Sequence, residues 1–468
     1  MSKQLLFGLF GVLIFSLSVG NTTAQVLTLK QAVQTAQANY GTIRAKANYV
    51  KASQANVKET RREYLPDINF AAQQDYGTVN SAFGPLGSYK IASIPSSGPV
   101  LANQNWNAAF GSLYLTNVNW DFFQFGRAKE RTKTAQTIAN RDQSDLDQER
   151  FQQSIRVSAA YLNLLAAQKL VFSQQRNLER TVTFQIVVTA RAKSGLNPGV
   201  DSSLANAEVS NAKIALTNAI ELEQEQANQL AQLMQVTPPD SNNYALDTVF
   251  VSKIPASLGS APAQTLENHP VLKFFKERIN VSDEQTKYLK TFYYPTFSLF
   301  GAFQDRGTGF GSTYGAQPDS YTNNYLKGVS FGTANYLVGI GVFWNLTTPL
   351  RVHEQVVAQK FTSEGLREEY GLINQELKAQ TVLAETRIRN ALDNYHEAPI
   401  QVKAATDAYT QKETLYKNGL ATIVDVTTAS FILNQAESQR DIAFTNVWQA
   451  LLFKAASSGD LALFLNEF

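Results

Sequence analysis

GLATIVDVTTAS, residues 419–430, stands near the end of the chain, and GLNPGVDSSLAN, residues 195–206, is a worn copy of it. Gly195 matches Gly419, Leu196 matches Leu420, Val200 matches Val424 and Asp201 matches Asp425, every pair 224 positions apart. Each copy interrupts a long stretch of helical character. Residues 127–194 contain no glycine or proline, and neither do 200–236 or 420–458 apart from their boundaries. Apolar positions such as Ile155, Ala159, Leu162, Ala166 and Leu170 step by three or four, as one stripe of a helix does. A chain that runs out along 68 residues, turns at a glycine and runs back without a helix breaker is a helical hairpin, and the quoted stretch is its tip. At 1.5 Å per residue each outgoing arm reaches roughly 100 Å.

The repetition extends outward from the tips. Trp120 pairs with Trp344 and Arg127 with Arg351 at the same offset of 224, while Asn39–Pro66 recurs as Asn268–Pro295 at an offset of 229. The chain is therefore two copies of one unit, with one connecting loop five residues shorter in the second copy. The second outgoing arm carries Gly365, Gly371 and Pro399, and a kink is expected near Pro399.

Between Pro66 and Trp120, and again between Pro295 and Trp344, the apolar period changes from helical to alternating. Ile68, Phe70 and Tyr76 share one face, as do Phe110, Tyr114, Val118 and Trp120, then Phe297, Leu299 and Phe303, then Tyr336, Val338, Ile340 and Val342. These four segments (68–76, 110–120, 296–304, 336–344) hold one charged residue, Asp75, in 38 positions, whereas 127–194 holds 18 in 68. Strands so poor in charge belong in lipid and the helical arms in water. Tyr64, Trp120, Phe122, Phe292, Tyr293, Tyr294 and Trp344 gather at the strand ends nearest the arms, which reads as an interfacial aromatic girdle, or else as aromatic core at a helix–strand joint. Pro66 and Pro295 mark those joints. The stretches 79–109 and 307–335, rich in Gly, Ser and Asn, suit exposed loops.

The expected organisation is a signal peptide over 1–24, from the apolar run Leu5 to Val19 and the small residues before Gln25. Repeat 1 spans 25–245, with strands about 67–77 and 110–121 and a hairpin over 127–236 turning near 195–201. A linker covers 246–260. Repeat 2 spans 261–468, with strands about 296–305 and 336–346 and a hairpin over 351–458 turning near 419–425. No cysteine occurs, so neither disulfides nor an N-terminal lipid-bearing cysteine hold the protein. A net charge of +2 argues against nucleic acid as a partner. Four strands cannot close a barrel, and open edges in hydrocarbon leave backbone groups unpaired, so the sheet requires further copies of the chain. A dimer gives eight strands and a filled interior. The small or polar alternate positions Asn69, Ala71, Gln73, Gly339 and Gly341 favour the wider lumen of twelve strands from a homotrimer.

The duplicated layout, the helix–Pro–strand joints and the Gly-x-x-x-x-Val-Asp turns, above all YKNGLATIVDV at 416–426, resemble the TolC family of outer-membrane efflux proteins over essentially the whole mature chain. The resemblance implies an α+β membrane protein of Gram-negative bacteria: a trimeric channel-tunnel with a twelve-stranded barrel in outer-membrane lipid and a long antiparallel coiled-coil tunnel through the periplasm. It further implies a passive exit duct for drugs, metals or other toxic small molecules. The implied partners are an inner-membrane transporter of RND, ABC or MFS type and a periplasmic adaptor (membrane fusion) protein, which docks on the tips Gly195-Leu196 and Gly419-Leu420. Tyr416 matches the family's gate tyrosine and Asp425 a gate aspartate, with Asp201 its repeat counterpart; the arginine expected at 421 is Ala421, and the second aspartate expected at 428 is Thr428.

Two readings of Asp425 stay open. Thr422-Ile-Val-Asp425 has the form of a capping box, while three copies of Asp425 at a narrow entrance form a negative ring that favours cations. Asn197-Pro198 offers a helix start of its own, an N-cap followed by proline. No catalytic, cofactor or metal site is expected: His269, His353 and His396 are scattered, there is no thiol, and GTGFGSTYG at 307–315 sits in a loop of low complexity. A type I protein-secretion duct and a purely structural periplasmic coiled coil are the alternatives, and the latter leaves four uncharged alternating segments unexplained.

Overall fold

A computed structural model describes residues 26–81, 100–237, 244–248, 250–259 and 265–468, so the expected signal peptide and much of the first loop lie outside the described residues. The helices are α1 (Leu29–Asn39), α2 (Gly41–Arg62), α3 (Arg127–Lys193), α4 (Gly199–Met234), α5 (Pro270–Lys290), α6 (Tyr325–Val329), α7 (Thr348–Lys417), α8 (Ile423–Ser458) and α9 (Ala462–Leu465). The strands are β1 (Asp67–Thr78), β2 (Ala108–Phe123), β3 (Thr296–Thr308) and β4 (Thr333–Phe343). Trp344 falls just past the end of β4 and is exposed. Two compact units divide the chain; α3 and α7 each contribute to both.

The unit built from 45–148 and 270–374 contains the sheet. Its order is β1-β2-β3-β4, antiparallel throughout, which leaves β1 and β4 as edges. Pro66 and Pro295 directly precede β1 and β3, where a residue without an amide hydrogen ends the helical run. Register decides the two faces. Ile68 lies beside Val118, then Gly301, then Val338; the next row on that face is Phe70, Thr116, Phe303 and Tyr336. All four alternating apolar sets thus share one face, and Ile68, Phe70, Phe303, Tyr336, Val338, Ile340 and Val342 stand exposed on it. The opposite face reads Ala71, Leu115, Gln304, Asn335 in one row and Gln73, Leu113, Arg306, Thr333 in the next.

Gly339 does not enlarge this polar face. A Cβ there would stand 2.5 Å from the Phe300 ring, so the glycine accommodates an aromatic side chain lying across it. At the far end of the apolar face the rows turn polar, with Ser112, Tyr114 and Asp305, and α6 packs over them. Ser112 Oγ and Tyr114 Oη both donate to the Val329 carbonyl, and buried Asp305 accepts from the Gly332 amide at 2.9 Å.

Helices of this unit are joined by ion pairs: Lys46–Asp145 between α2 and α3, Lys133–Glu284 between α3 and α5, and Arg367–Asp283 and Arg278–Glu369 between α5 and α7. At the joint, Trp120 Nε1 donates to the Tyr64 carbonyl at 2.8 Å, and Tyr64 Oη donates to the Phe122 carbonyl at 2.7 Å. Arg127 donates to Thr296 Oγ1 and to the carbonyls of Thr291 and Tyr294, with its guanidinium 4.4 Å over the Phe292 ring. These aromatics are therefore tied to the joint by hydrogen bonds as well as placed at the strand ends.

The second unit, 1–44, 149–269 and 375–468, is helical among its described residues. Its core gathers Leu29, Val33, Tyr161, Leu164, Leu165, Leu230, Met234, Trp448, Leu451 and Phe464. Of the stretch 246–260, expected to be a linker, the described residues 246–248 and 250–259 fold against this core. Leu246 bridges to Leu27, short 3-10 turns cover Phe250–Ser252 and Ala256–Gly259, and Val251 and Leu258 are buried. Phe250 and Phe468 both pack against Trp448, and the Glu467 carboxylate accepts from the amides of Ala256 and Ser257. α7 continues through Gly365, Gly371 and Pro399 without interruption. His269 is structural: buried, its Nε2 lies 3.0 Å from the Ala456 carbonyl and its ring meets Phe151 edge-on.

Candidate functional site: the paired hairpin tips

Both tips are made by one device. Gly195 and Gly419 each have φ +74°, a conformation that a side chain strongly disfavours. The Leu196 amide donates to the Arg191 carbonyl at 3.0 Å and the Gly195 amide to Ala192; in the second copy Leu420 donates to Leu415 at 2.9 Å and Gly419 to Tyr416. This pair of bonds, reaching back five and three residues, is the Schellman closure, which satisfies the last carbonyls of a helix. The residue after the glycine commonly folds back onto the helix in that motif. Here it does not: Leu196 is 68% exposed and Leu420 74%.

The restarts differ. Thr422 caps α8 with a full capping box: the Asp425 amide donates to Thr422 Oγ1 at 3.3 Å, and the Thr422 amide donates to Asp425 Oδ2 at 2.9 Å. Lys412 Nζ lies 3.0 Å from the other carboxylate oxygen. The Thr422 backbone bond first, then the Thr422 hydroxyl and Lys412, hold the Asp425 carboxyl at a pKa of about 2. In the first copy Pro198 occupies the N-cap position of α4, with no side-chain cap. The expectation that Asn197 caps α4 is corrected, because its side chain is spent sideways. Asn197 Oδ1 accepts from Arg191 Nε at 2.9 Å, and Asn197 Nδ2 donates to Asp201 Oδ2 at 2.9 Å and reaches Tyr416 Oη at 3.0 Å.

That cluster joins the two repeats. Tyr416 Oη donates to Asp201 Oδ2 at 3.2 Å, and Arg191 Nη1 donates to the Lys417 carbonyl at 2.6 Å with the guanidinium 5.9 Å from the Tyr416 ring centre. Tyr416 is buried against Phe184, Val188, Ala205, Ile423 and Val426. Burial first, then the Asp201 charge and hydrogen bond, push the Tyr416 phenol up to about 12, so it stays a proton donor. Further along the hairpins Arg180 of α3 makes two bonds to Glu437 of α8, at 3.0 and 2.7 Å. Of the gate candidates, then, Tyr416 and Asp201 meet, whereas Asp425 turns to its own helix start and Lys412. Sequence reasoning missed Arg191 and gave Asn197 the role of a cap. The mismatch at 191 between the copies (Arg191 against Leu415) was the available signal.

A four-stranded antiparallel sheet with one apolar face and two duplicated helical hairpins are the defining parts of the fold. Residues 32–236 match the family model described as outer membrane efflux protein. The fold matches VceC of Vibrio cholerae (TM-score 0.70, 16% identity, 92% of this chain and 96% of that one) and the CmeC channel of Campylobacter jejuni (0.72, 12%, 92% and 85%). It also matches the open-state MtrE channel of Neisseria gonorrhoeae (0.70, 17%, 92% and 89%). No curated protein sequence matches the chain. Residues 32–236 thus carry a match to the outer membrane efflux protein family, and the chain shares the fold of these channels. Among the described residues no group of three or more His, Asp or Glu is placed to hold a metal ion.

Proposed function

We propose that the chain works as a homotrimeric, passive exit duct for small molecules in a tripartite system. Its partners are an inner-membrane transporter of RND, ABC or MFS type, which supplies the energy, and a periplasmic adaptor. The observation that carries the trimer is the sheet: two unpaired edges beside an exposed apolar face need partner strands once in lipid, and three chains supply twelve. Tyr416, Asp201, Asn197 and Arg191 form the latch that holds the two tips of one chain together. Asp425 caps α8 and adds negative charge at the entrance. Gly195-Leu196 and Gly419-Leu420 are the adaptor-docking tips, the leucines offering apolar contact that the chain itself leaves unused.

Mass measurement of the full-length protein in detergent tests the assembly. Three chains are expected; a stable monomer or dimer overturns the reading. Planar-bilayer recording then tests the duct: the unmodified protein should conduct poorly and Asp201→Asn should conduct more, since the latch loses its charged acceptor. An unaltered conductance removes the latch.

A further inference from the structure

Where β2 ends and α3 begins, an open cavity of about 620 Å³ borders the apolar face of the sheet. Tyr64, Phe122 and Phe123 form its wall, and Arg61, Lys129 and Lys133 stand around its rim. Phe123 pairs with Phe297, whose β4 partner Val342 is exposed on the apolar face, so the cavity continues the surface that meets lipid. Lys133 is held by Glu284 at 3.0 Å. Arg61 and Lys129 are exposed and make no ion pair among the described residues.

The duplication provides an internal control. At the offsets that align the repeats, Tyr64 corresponds to Tyr293 and Arg61 to Lys290, but Lys129 corresponds to His353, Lys133 to Val357 and Phe122 to Leu346. A helix–strand joint of this design therefore forms without the lysines, and their presence in the first copy is not required by the joint. An apolar wall at the aromatic margin of a lipid-facing sheet, with two unpaired cations beside it, fits one kind of occupant. That occupant has acyl chains along the wall and a net negative headgroup between Arg61 and Lys129. A free inorganic anion would leave the aromatic wall idle.

We propose that this cavity binds the headgroup of an anionic phospholipid from the adjoining leaflet, one per chain, and so fixes the first joint at the level of the lipid phosphates. The inference goes beyond the efflux reading and does not depend on the tip latch. The test uses the full-length protein in neutral detergent, probed separately with phosphatidylglycerol, phosphatidylcholine and inorganic phosphate, with bound mass read by native mass spectrometry. Phosphatidylglycerol should be retained at one per chain. Arg61→Gln combined with Lys129→Gln should weaken that retention by about tenfold or more, given what each cation near an anionic surface contributes. Lys129→Arg should keep it. Both altered side chains are exposed, so the lipid-free thermal midpoint should stay unchanged; if the double variant does not fold, Lys129→Gln alone carries the test with a smaller loss. Equal retention of phosphatidylglycerol in variant and parent, equal retention of phosphatidylcholine, or phosphate binding as strong as the lipid's would each overturn the proposal.

Discussion

In the proposed latch the hydroxyl of a buried ring, Tyr416, reaches Asp201 and Asn197. Tyr416→Phe keeps the ring among Phe184 and Val426 and deletes both contacts. A hydrogen bond to a charged group is worth about 1.5–3 kcal/mol, so thermal unfolding should report a loss of that order. Bilayer conductance should rise in the same variant; a stability loss with unaltered conductance would leave Tyr416 a packing residue. Alkali should act on the same bond. The folded phenol titrates at about 12 against an ordinary 10, so its contribution is complete below pH 10 and is lost as pH rises from 10 to 12. Tyr161 and Tyr409, raised to about 12 chiefly by burial, add to that alkaline loss, so Tyr416→Phe should shrink it rather than abolish it. Asp425 gives the opposite sign. Its lowered pKa stabilises the fold above about pH 4, and that contribution fades as pH falls toward 2. Asp425→Asn keeps a capping acceptor but deletes the charge and frees Lys412. If the entrance ring matters, block by divalent cations should weaken while the fold persists; block that is unaltered assigns Asp425 to the cap alone.

The sheet and the hairpins were legible in the sequence for different physical reasons. Strands in lipid exclude charge and alternate with period two, so Phe110 to Trp120 announced β2 before any pairing was known. The tips were legible because only glycine accepts the backbone at 195 and 419 without strain. What stayed hidden was what depends on distant partners. Arg191 meets a carbonyl 226 residues away, and Asn197 before Pro198 has the pattern of a cap until Tyr416 is brought against it. The stretch around Phe250 has no period to read, because that ring packs against Trp448 and Phe468, on a different part of the chain. Register, too, is a property of four segments together, and it yields a sharp test of which face meets lipid. Val338 lies on the apolar face and Asn335 on the other. Val338→Arg should cost about 2–4 kcal/mol in vesicles if that position lies near the bilayer midplane, while Asn335→Arg should cost far less. Denaturant titration of the two variants after reconstitution decides it, and equal costs would mean the faces are assigned the wrong way round.

At the scale of the whole molecule, duplication sets how many equivalent contacts the protein offers and how far the copies have diverged. The clamp Arg180–Glu437 links repeat 1 to repeat 2 within a chain, yet the aligned positions are Ala404 and Lys213, so the repeats cannot form that ion pair in exchanged roles. The tips, by contrast, have kept the same glycine, the same leucine and the same pair of backbone bonds. Identical geometry at two sites per chain, with the leucine exposed in both, is what a partner needs in order to dock the same way on every hairpin. Leu420→Asp places a charge where the proposed docking uses an apolar contact, and Leu196→Asp does so on the other tip. Neither side chain packs inside the chain, so purification in detergent should return the same assembly and the same thermal midpoint for both variants. Export in cells should fall in each single variant and vanish in the double one, because the proposed trimer then loses half and finally all of its six proposed docking points. Pull-down of the adaptor with the purified duct separates loss of docking from loss of conduction. Adaptor binding that persists in the double variant would place docking elsewhere on the hairpins and leave the exposed leucines without a role in the complex.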